Sequence, residues 1–156
     1  MHEKSTPLVL PETTQGSLAD VPPRWASADP GRVAFSVRSG AGWTDVTSAT
    51  FAADVAALAK GLIAAGIGMG DAVGIMSRTR YEWTVADFAL WSAGAVPVPI
   101  YETSSADQVE WILADSAAVA VIENPFAGRF QDDLADLIDI GEELGGLLAE
   151  RAVAAL

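Results

Sequence analysis

Three short apolar runs, separated by two segments with helical spacing, constrain the fold of this chain more than any other feature. The runs lie at residues 72–77, 96–100 and 118–123, and the helical segments lie at 81–93 and 105–115. Short uninterrupted apolar runs are typical of strands buried on both faces of a parallel sheet. Strands that alternate with single helices imply right-handed crossovers. The sequence therefore predicts an α/β fold with a mostly parallel sheet and β-α-β-α-β order over 72–123.

The strand at 96–100 has a further property. Pro97 and Pro99 alternate within it, and proline has no backbone N–H to donate to a neighbouring strand. Because such residues are confined to edge strands or irregular strands, we expect 96–100 to lie at an edge rather than at the centre.

A β-hairpin and a long helix are predicted before the parallel segment. The runs 33–38 and 43–46 flank a glycine-containing turn, as in a hairpin. Thr47 or Ser48 can cap the helix that follows. This helix is expected to run to about residue 65, and Gly66 is a natural residue to end it.

The two ends of the chain differ from the centre. Residues 1–16 are predicted to form an extended arm, because Pro7 and Pro11 exclude a long helix there. Residues 129–156 read as an acidic helical tail that glycines divide into two short helices. We expect this tail to fold back as a lid over the sheet. Residues 17–128 form the α/β domain between the two ends.

Composition excludes several classes of function. The chain has no cysteine and one histidine, which excludes disulfides, thiolate chemistry and a multi-histidine metal site. The net charge is −12, and residues 81–156 hold fourteen acids against two bases. Such a surface repels nucleic acid and anionic lipid. No apolar run approaches the ~20 residues that span a bilayer. With no signal-peptide pattern either, a cytoplasmic protein is expected.

Four short motifs point to a family. They are R-Y-E-W at 80–83, G-A-V-P-V-P-I-Y at 94–101, E-T-S-S at 102–105 and D-S at 115–116. The sequence here closely resembles the N-terminal region of adenylate-forming enzymes, the AMP-dependent synthetase/ligase superfamily, and in particular long-chain fatty acyl-CoA synthetases. The resemblance implies that the complete enzyme uses ATP and Mg²⁺ to make an acyl-adenylate, and then transfers the acyl group to CoA.

The residues that perform this chemistry in the family have no counterpart in the sequence. The family holds ATP phosphates with a run like Y-T-S-G-T-T-G-x-P-K-G, and it uses a mobile lysine at the reacting carboxyl. Neither pattern occurs here, where the lysines are Lys4 and Lys60. We therefore predict no catalytic, cofactor-binding or metal-binding residues, no ATP, Mg²⁺ or CoA bound by this chain, and no synthetase activity of the chain alone.

One Ser/Thr segment, residues 101–105, resembles the start of a phosphate loop. It contains no glycine that would let backbone amides approach a phosphate. A helix cap is the simpler interpretation. Thr103 or Ser104 is then expected to cap the next helix, with Asp107 or Gln108 in its first turn as in a capping box.

Two other candidates for anion binding also have simpler interpretations. The glycine-rich segment 66–71 follows a helix and precedes a strand, whereas a phosphate-binding loop follows a strand and opens a helix. It is interpreted as a turn. Arg78 and Arg80 follow a parallel strand, where ligands tend to bind. Pairing with nearby acids such as Glu82 or Glu102 is the favoured interpretation.

Aromatic and acidic clusters complete the candidates. Trp83 and Trp91 lie on one helix and are interpreted as core residues, although such aromatics could border an acyl tunnel in a complete enzyme. His2 lies in the arm, where no role is expected. Four acids of the tail share one helical side and are interpreted as an exposed face rather than a cation site: Asp132, Asp133, Asp136 and Asp139.

The favoured interpretation is an N-terminal fragment or truncated member of the long-chain fatty acid–CoA ligase family. The alternative is a stand-alone α/β module with a structural or partner-binding role and no catalysis. In either case we expect no nucleic-acid partner and no membrane span. Self-association as a homo-oligomer and contact with the remainder of a synthetase stay open.

Overall fold

A computed structural model of the chain describes residues 16–123, and what the sequence predicts for 1–15 and for the acidic tail lies outside this range. Within it, the secondary structure begins with a 3₁₀ turn at Leu18–Asp20. The remaining elements are, in order, α1 (Val21–Ala28), β1 (Val33–Ser39), β2 (Gly42–Thr47), α2 (Ser48–Ala64), β3 (Ala72–Met76), α3 (Tyr81–Ala93), β4 (Val96–Ile100), α4 (Ala106–Ser116) and β5 (Ala120–Glu123).

The predicted α/β fold is confirmed. Strands β3, β4 and β5 form a parallel sheet in the order β4-β3-β5. Strand β4 therefore lies on one side of β3. The chain then crosses β3 through α4, and β5 lies on the other side of β3. Strand β4, with its two prolines, lies at an edge of this sheet among the described residues, as predicted.

Helices cover both faces of the parallel sheet. On one face, Val73 and Ile75 of β3 and Ile122 of β5 pack with apolar residues of α2 and α3. On the other face, Val121 of β5 packs with Leu113 of α4. Successive residues of β5 thus enter opposite clusters, as the alternation of side chains along a strand requires.

Gly74 brings α4 close to the centre of the sheet. It lies in β3, and a Cβ atom at this position would come within 3.2 Å of Leu113 Cδ2 and 3.3 Å of both Ile100 Cδ1 and Val121 Cγ1. The missing side chain leaves room for these three apolar groups to meet over the central strand.

The hairpin packs beside this sheet through aromatic residues. Strands β1 and β2 pair antiparallel, with an irregularity between Val33 and Phe35. The Phe35 ring lies 4.9 Å from the ring of Phe51 on α2 and 5.4 Å from the ring of Tyr81 on α3. Edge-to-face contacts of this kind stabilise a core beyond the area that they bury. The hairpin is thereby attached to the helices that cover the sheet.

Gly66 ends α2 close to its predicted position. Its φ is +95°, a left-handed conformation that favours glycine. The backbone N–H of Gly66 donates to the carbonyl of Ile63, and that of Ile67 donates to the carbonyl of Leu62. These bonds satisfy carbonyls that the end of a helix leaves without partners. Among residues 16–123, no helix has the length and apolar character needed to cross a membrane.

Candidate functional site

The carboxyl edge of the parallel sheet is the candidate site. Met76, Ile100 and Glu123, the last residues of β3, β4 and β5, lie in register with one another. The loops after β3 and β4, residues 77–80 and 101–105, therefore leave the sheet side by side. In open α/β sheets this edge is where ligands bind.

An ion pair joins the two loops. The Nε of Arg78 donates to Oε2 of Glu102 over 3.0 Å. Their side chains are 76% and 45% exposed, so solvent screens the pair, and pairs of this kind contribute about 0–1 kcal/mol. The predicted pairing of Arg78 with a nearby acid is confirmed.

Arg80 also lies beside a carboxylate. Its Nε is 3.5 Å from Oε2 of Glu82, which lies in the first turn of α3. Both side chains are more than half buried. The two arginines that the sequence places after β3 are therefore both neighbours of acids, in agreement with the favoured interpretation.

A half-buried hydrogen bond connects the start of α3 to α2. The hydroxyl of Tyr81 donates to Oδ2 of Asp54 over 2.6 Å. Burial, and then this hydrogen bond to a carboxylate, raise the pKa of Tyr81 well above its ordinary value. Sequence analysis missed the pair. The available signal was Asp54 itself, because an acid three residues after the buried Phe51 falls on the apolar side of α2.

A cleft of about 410 Å³ lies between the hairpin and the first turn of α3. Residues 35–38 of β1 form one wall, and residues 79–82 with Thr84 form the other. Its lining combines aromatic rings, hydroxyl groups and charges of both signs. Nothing in the sequence predicted it, because it depends on how the hairpin packs against α3.

The Ser/Thr segment after β4 caps α4, but at another residue than predicted. Ser105 is the N-cap: its Oγ accepts from the N–H of Gln108 over 3.3 Å, and Gln108 Oε1 accepts from the N–H of Ser105 over 3.0 Å. The capping box with Gln108 is confirmed, and the assignment of the cap to Thr103 or Ser104 is wrong. The N–H of Ser104 donates to the carbonyl of Tyr101, so those two residues belong to a turn that precedes the helix.

The glycine-rich segment 66–71 is a turn, as predicted. The N–H of Gly68 donates to Oδ2 of Asp71 over 2.8 Å. The carbonyl of Asp71 accepts from the N–H of Val96, the first residue of β4. The segment therefore lies at the amino edge of the sheet, opposite the candidate site.

Asp87 is a buried acid that sequence analysis also missed. It lies in α3 and is 8% exposed. Burial raises the pKa of its carboxyl above the ordinary value. The signal in the sequence was an isolated acid within an apolar helical stretch, V-A-D-F-A-L-W. It lies outside both loops of the candidate site.

The remaining sequence candidates do not enter the site. Trp83 is half-buried and packs against the core cluster of α2, α3 and the sheet. Trp91 is half-buried, with its ring 5.0 Å from that of Phe88. Lys60 is exposed on α2. His2, Lys4 and the four acids of the tail named above lie outside the described residues.

Taken by its chemistry, the carboxyl edge is a surface of paired charges. Within residues 16–123, no group of three or more His, Cys, Asp or Glu side chains is placed to hold a metal ion. Arg78 and Arg80 at this edge lie beside acids, and the hydroxyl of Ser105 accepts a hydrogen bond in the cap of α4. The Arg78–Glu102 pair links the loops after β3 and β4 at this edge.

Comparison with known proteins identifies related sequences. A family model described as "AMP-binding enzyme" matches residues 23–147. Over 79 residues the chain is 58% identical to "Long-chain-fatty-acid--CoA ligase FadD15" of Mycobacterium bovis, and it is 57% identical to the protein of that name in Mycobacterium tuberculosis. Each alignment covers 51% of this chain and 13% of the relative, so the chain matches a small part of these ligases.

Solved structures agree with this match. The N-terminal subdomain of Klebsiella oxytoca NpsA, in complex with 3-hydroxyanthranilyl-AMSN, superposes with a TM-score of 0.62 at 25% identity, covering 70% of this chain and 27% of that one. A fatty acid AMP ligase from Legionella pneumophila shares the fold, with a TM-score of 0.63 at 24% identity over 69% of this chain and 19% of that one. The chain therefore belongs to the AMP-binding enzyme family, and it matches the N-terminal region of long-chain fatty acid–CoA ligases.

Proposed function

We propose that residues 16–123 are a scaffold element of an ATP-dependent long-chain fatty acid–CoA ligase. The observation that carries this proposal is the 58% identity over 79 residues to a ligase with that substrate class in its name. In the complete enzyme, a fatty acid carboxylate attacks ATP to give an acyl-adenylate and pyrophosphate. The thiol of CoA then displaces AMP to give the acyl-CoA.

The described residues do not fit a site for ATP and Mg²⁺. A triphosphate requires cations and backbone amides that converge on one point. Here Arg78 and Arg80 lie beside carboxylates, and Lys60 is exposed on α2. The glycine turn is at the opposite edge of the sheet. We therefore assign no step of the reaction to these residues.

The role that we assign to the carboxyl edge is positional. The Arg78–Glu102 pair joins the loops after β3 and β4, and the capping box of Ser105 and Gln108 fixes where α4 begins. The two loops at this edge offer a surface on which the catalytic segments of a ligase could dock. Scaffolds that hold functional loops in this way are common among α/β enzymes.

A chimera tests the scaffold proposal. Residues 16–123 replace the equivalent segment of FadD15 from Mycobacterium tuberculosis, and acyl-CoA formation from a long-chain fatty acid, ATP and CoA is measured. We expect kcat/KM within about tenfold of the parent, since a scaffold contributes no group to the transition state. The matched control carries Val85→Asp in the same chimera, because Val85 is fully buried and a charge there should abolish folding and activity.

A second measurement concerns the 156-residue polypeptide itself. We propose that it neither makes acyl-CoA nor binds ATP·Mg²⁺ more tightly than the millimolar range, as its −12 charge and its two lysines suggest. Pyrophosphate release from ATP, palmitate and CoA above a blank would contradict this.

A folded but inactive chimera would instead favour the alternative, a stand-alone structural or partner-binding module.

A cytoplasmic location stays a prediction.

A further inference from the structure

The outward side of α4 is an acidic surface with one aromatic side chain at its centre. The inward side packs on the sheet through Leu113. Four exposed residues, which together are the α4 face, lie on the outward side: Asp107, Glu110, Trp111 and Asp115. Residues three or four apart are neighbours on a helix surface, so Trp111 lies between Asp107 and Asp115.

Trp111 is an aromatic residue that the fold does not use. It is 66% exposed, and among residues 16–123 its ring contacts no other aromatic ring and no cation. Tryptophan is highly buried on average in folded proteins. Where tryptophan lies on a surface, it is enriched at interfaces, and there it often carries a large share of the binding energy.

The charges around Trp111 are all of one sign. Residues 101–123 hold five acids and no lysine, arginine or histidine. Asp115 lies in the last turn of α4, which contains no basic residue. The C-terminus of a helix carries a partial negative charge, so a carboxylate there is placed unfavourably. Asp107 and Glu110, three residues apart, repel each other. A cation held across the α4 face would relieve both conflicts.

We propose that the α4 face is a docking surface for an arginine-bearing helix of a separate polypeptide. A guanidinium group is planar, so it stacks on an indole ring and also pairs with carboxylates. Successive positions four apart on a helix are about 6 Å apart along its axis. Three arginines with this spacing place the central one over Trp111 and the outer two beside Asp107 and Asp115.

Charge complementarity distinguishes this occupant from others. A symmetric contact between two copies of the chain would bring the two α4 faces together, and acids would then oppose acids. Nucleic acid and anionic lipid carry phosphates, which the same carboxylates repel. A cationic polypeptide is the class of partner that satisfies both the exposed indole and the acids around it.

A synthetic peptide tests the proposal on the full 156-residue chain. The probe is an alanine-rich helical peptide with three arginines spaced four residues apart. Each of the five tryptophans gives an indole N–H signal in the nuclear magnetic resonance spectrum of the ¹⁵N-labelled chain, and Trp111→Phe identifies the signal of Trp111. We expect this signal to shift on titration, with a Kd below about 1 mM at about 0.1 M salt, while the signal of Trp43 stays in place.

A matched pair of tryptophan substitutions tests the aromatic part of the contact. Trp111→Ala should weaken peptide binding about fivefold, because it removes the cation–π contact. Trp43→Ala is the control, because Trp43 is 70% exposed on β2, away from α4. Its loss should leave the Kd within about twofold of the parent.

A matched pair of charge variants tests the acidic part. Asp107→Asn with Asp115→Asn should weaken binding about fivefold, the effect of two exposed ion pairs. The control makes the same change of charge at two exposed acids outside α4, Asp29→Asn with Glu123→Gln, and it should change the Kd by less than about twofold. Far-ultraviolet circular dichroism checks that every variant stays folded.

Several results would overturn the proposal. They are a Trp111 signal that does not move, equal effects of either matched pair, and equal binding of a peptide with glutamine in place of arginine. Light scattering that shows a dimer of the parent, lost in Trp111→Ala, would make a second copy the occupant. If the peptide binds this chain but not the folded FadD15 chimera, the rest of the ligase covers the α4 face, and docking of a separate polypeptide is wrong.

Discussion

Replacement of Phe51 by alanine should remove much of the stability of the domain. Phe51 is completely buried on α2. Its ring lies 4.9 Å from that of Phe35, 5.4 Å from Phe88, 6.2 Å from Tyr81 and 6.5 Å from Trp25. These four rings belong to β1, α3 and α1, so one side chain joins three elements to α2. Its loss leaves a cavity where those elements meet.

The expected cost follows from this geometry. Substitutions of buried phenylalanine by alanine destabilise proteins by about 3–5 kcal/mol. The contacts with Phe35 and Phe88 are edge-to-face, and each such contact contributes about 0.5–1.5 kcal/mol beyond its buried area. We therefore expect Phe51→Ala to cost about 4–5 kcal/mol, most of the stability of a domain at the low end of the usual ~5–15 kcal/mol.

Urea unfolding followed by far-ultraviolet circular dichroism measures this cost. Phe51→Leu keeps most of the apolar volume and removes the rings, and it should cost about 1–2 kcal/mol. Trp43→Ala is the surface control: Trp43 is 70% exposed, and its loss should change the free energy of unfolding by less than about 0.5 kcal/mol. If Phe51→Ala costs under about 1.5 kcal/mol, or no more than Phe51→Leu, Phe51 does not hold these elements together.

Two further substitutions test other parts of the structure. Burial raises the pKa of the Asp87 carboxyl in the folded state, so the folded chain binds the carboxyl proton more tightly than the unfolded chain does. Proton binding by Asp87 therefore stabilises the fold below the unfolded pKa, and this stabilisation is lost as pH rises through the folded pKa. Asp87→Asn should therefore raise Tm relative to the parent more at pH 7 than at about pH 3, and thermal melts with a constant difference between the two proteins would contradict this. Ser105→Ala should lower the free energy of unfolding in urea by about 1 kcal/mol, because Ser105 caps α4. Ser104→Ala should change it by less than about 0.5 kcal/mol. A larger loss for Ser104→Ala than for Ser105→Ala would show that Ser104 is the cap.

The sequence was sufficient to predict a parallel sheet whose strands alternate with helices. Each apolar run was short and bounded by a helical segment, so the period of the pattern changed clearly at each boundary. The boundaries themselves were less accurate. The last strand begins at Ala120 rather than at residue 118, and before it Ala117 ends α4 in a left-handed conformation with φ of 52°. Without a glycine at that position, the sequence carried no signal for this turn.

The contacts between distant segments could not be predicted in the same way. Tyr81 and Asp54 are 27 residues apart, and their hydrogen bond depends on how α2 packs against α3. The cleft requires the hairpin to lie beside the first turn of α3, and local patterns do not encode that placement. Local chemistry did predict that Arg78 would pair with an acid such as Glu102, because acids lie near the ends of both strands.

The strand order β4-β3-β5 also affects how this domain folds while the ribosome synthesises it. The central strand, β3, is synthesised before either of its neighbours. At 5–20 residues per second, β4 is completed roughly 1–5 s after β3, and β5 roughly 2–10 s after it. Helix α2 precedes β3 and can shield one of its faces at once. The other face, around Gly74, stays bare until α4 emerges, and it is there that a chaperone has the longest opportunity to bind the growing chain.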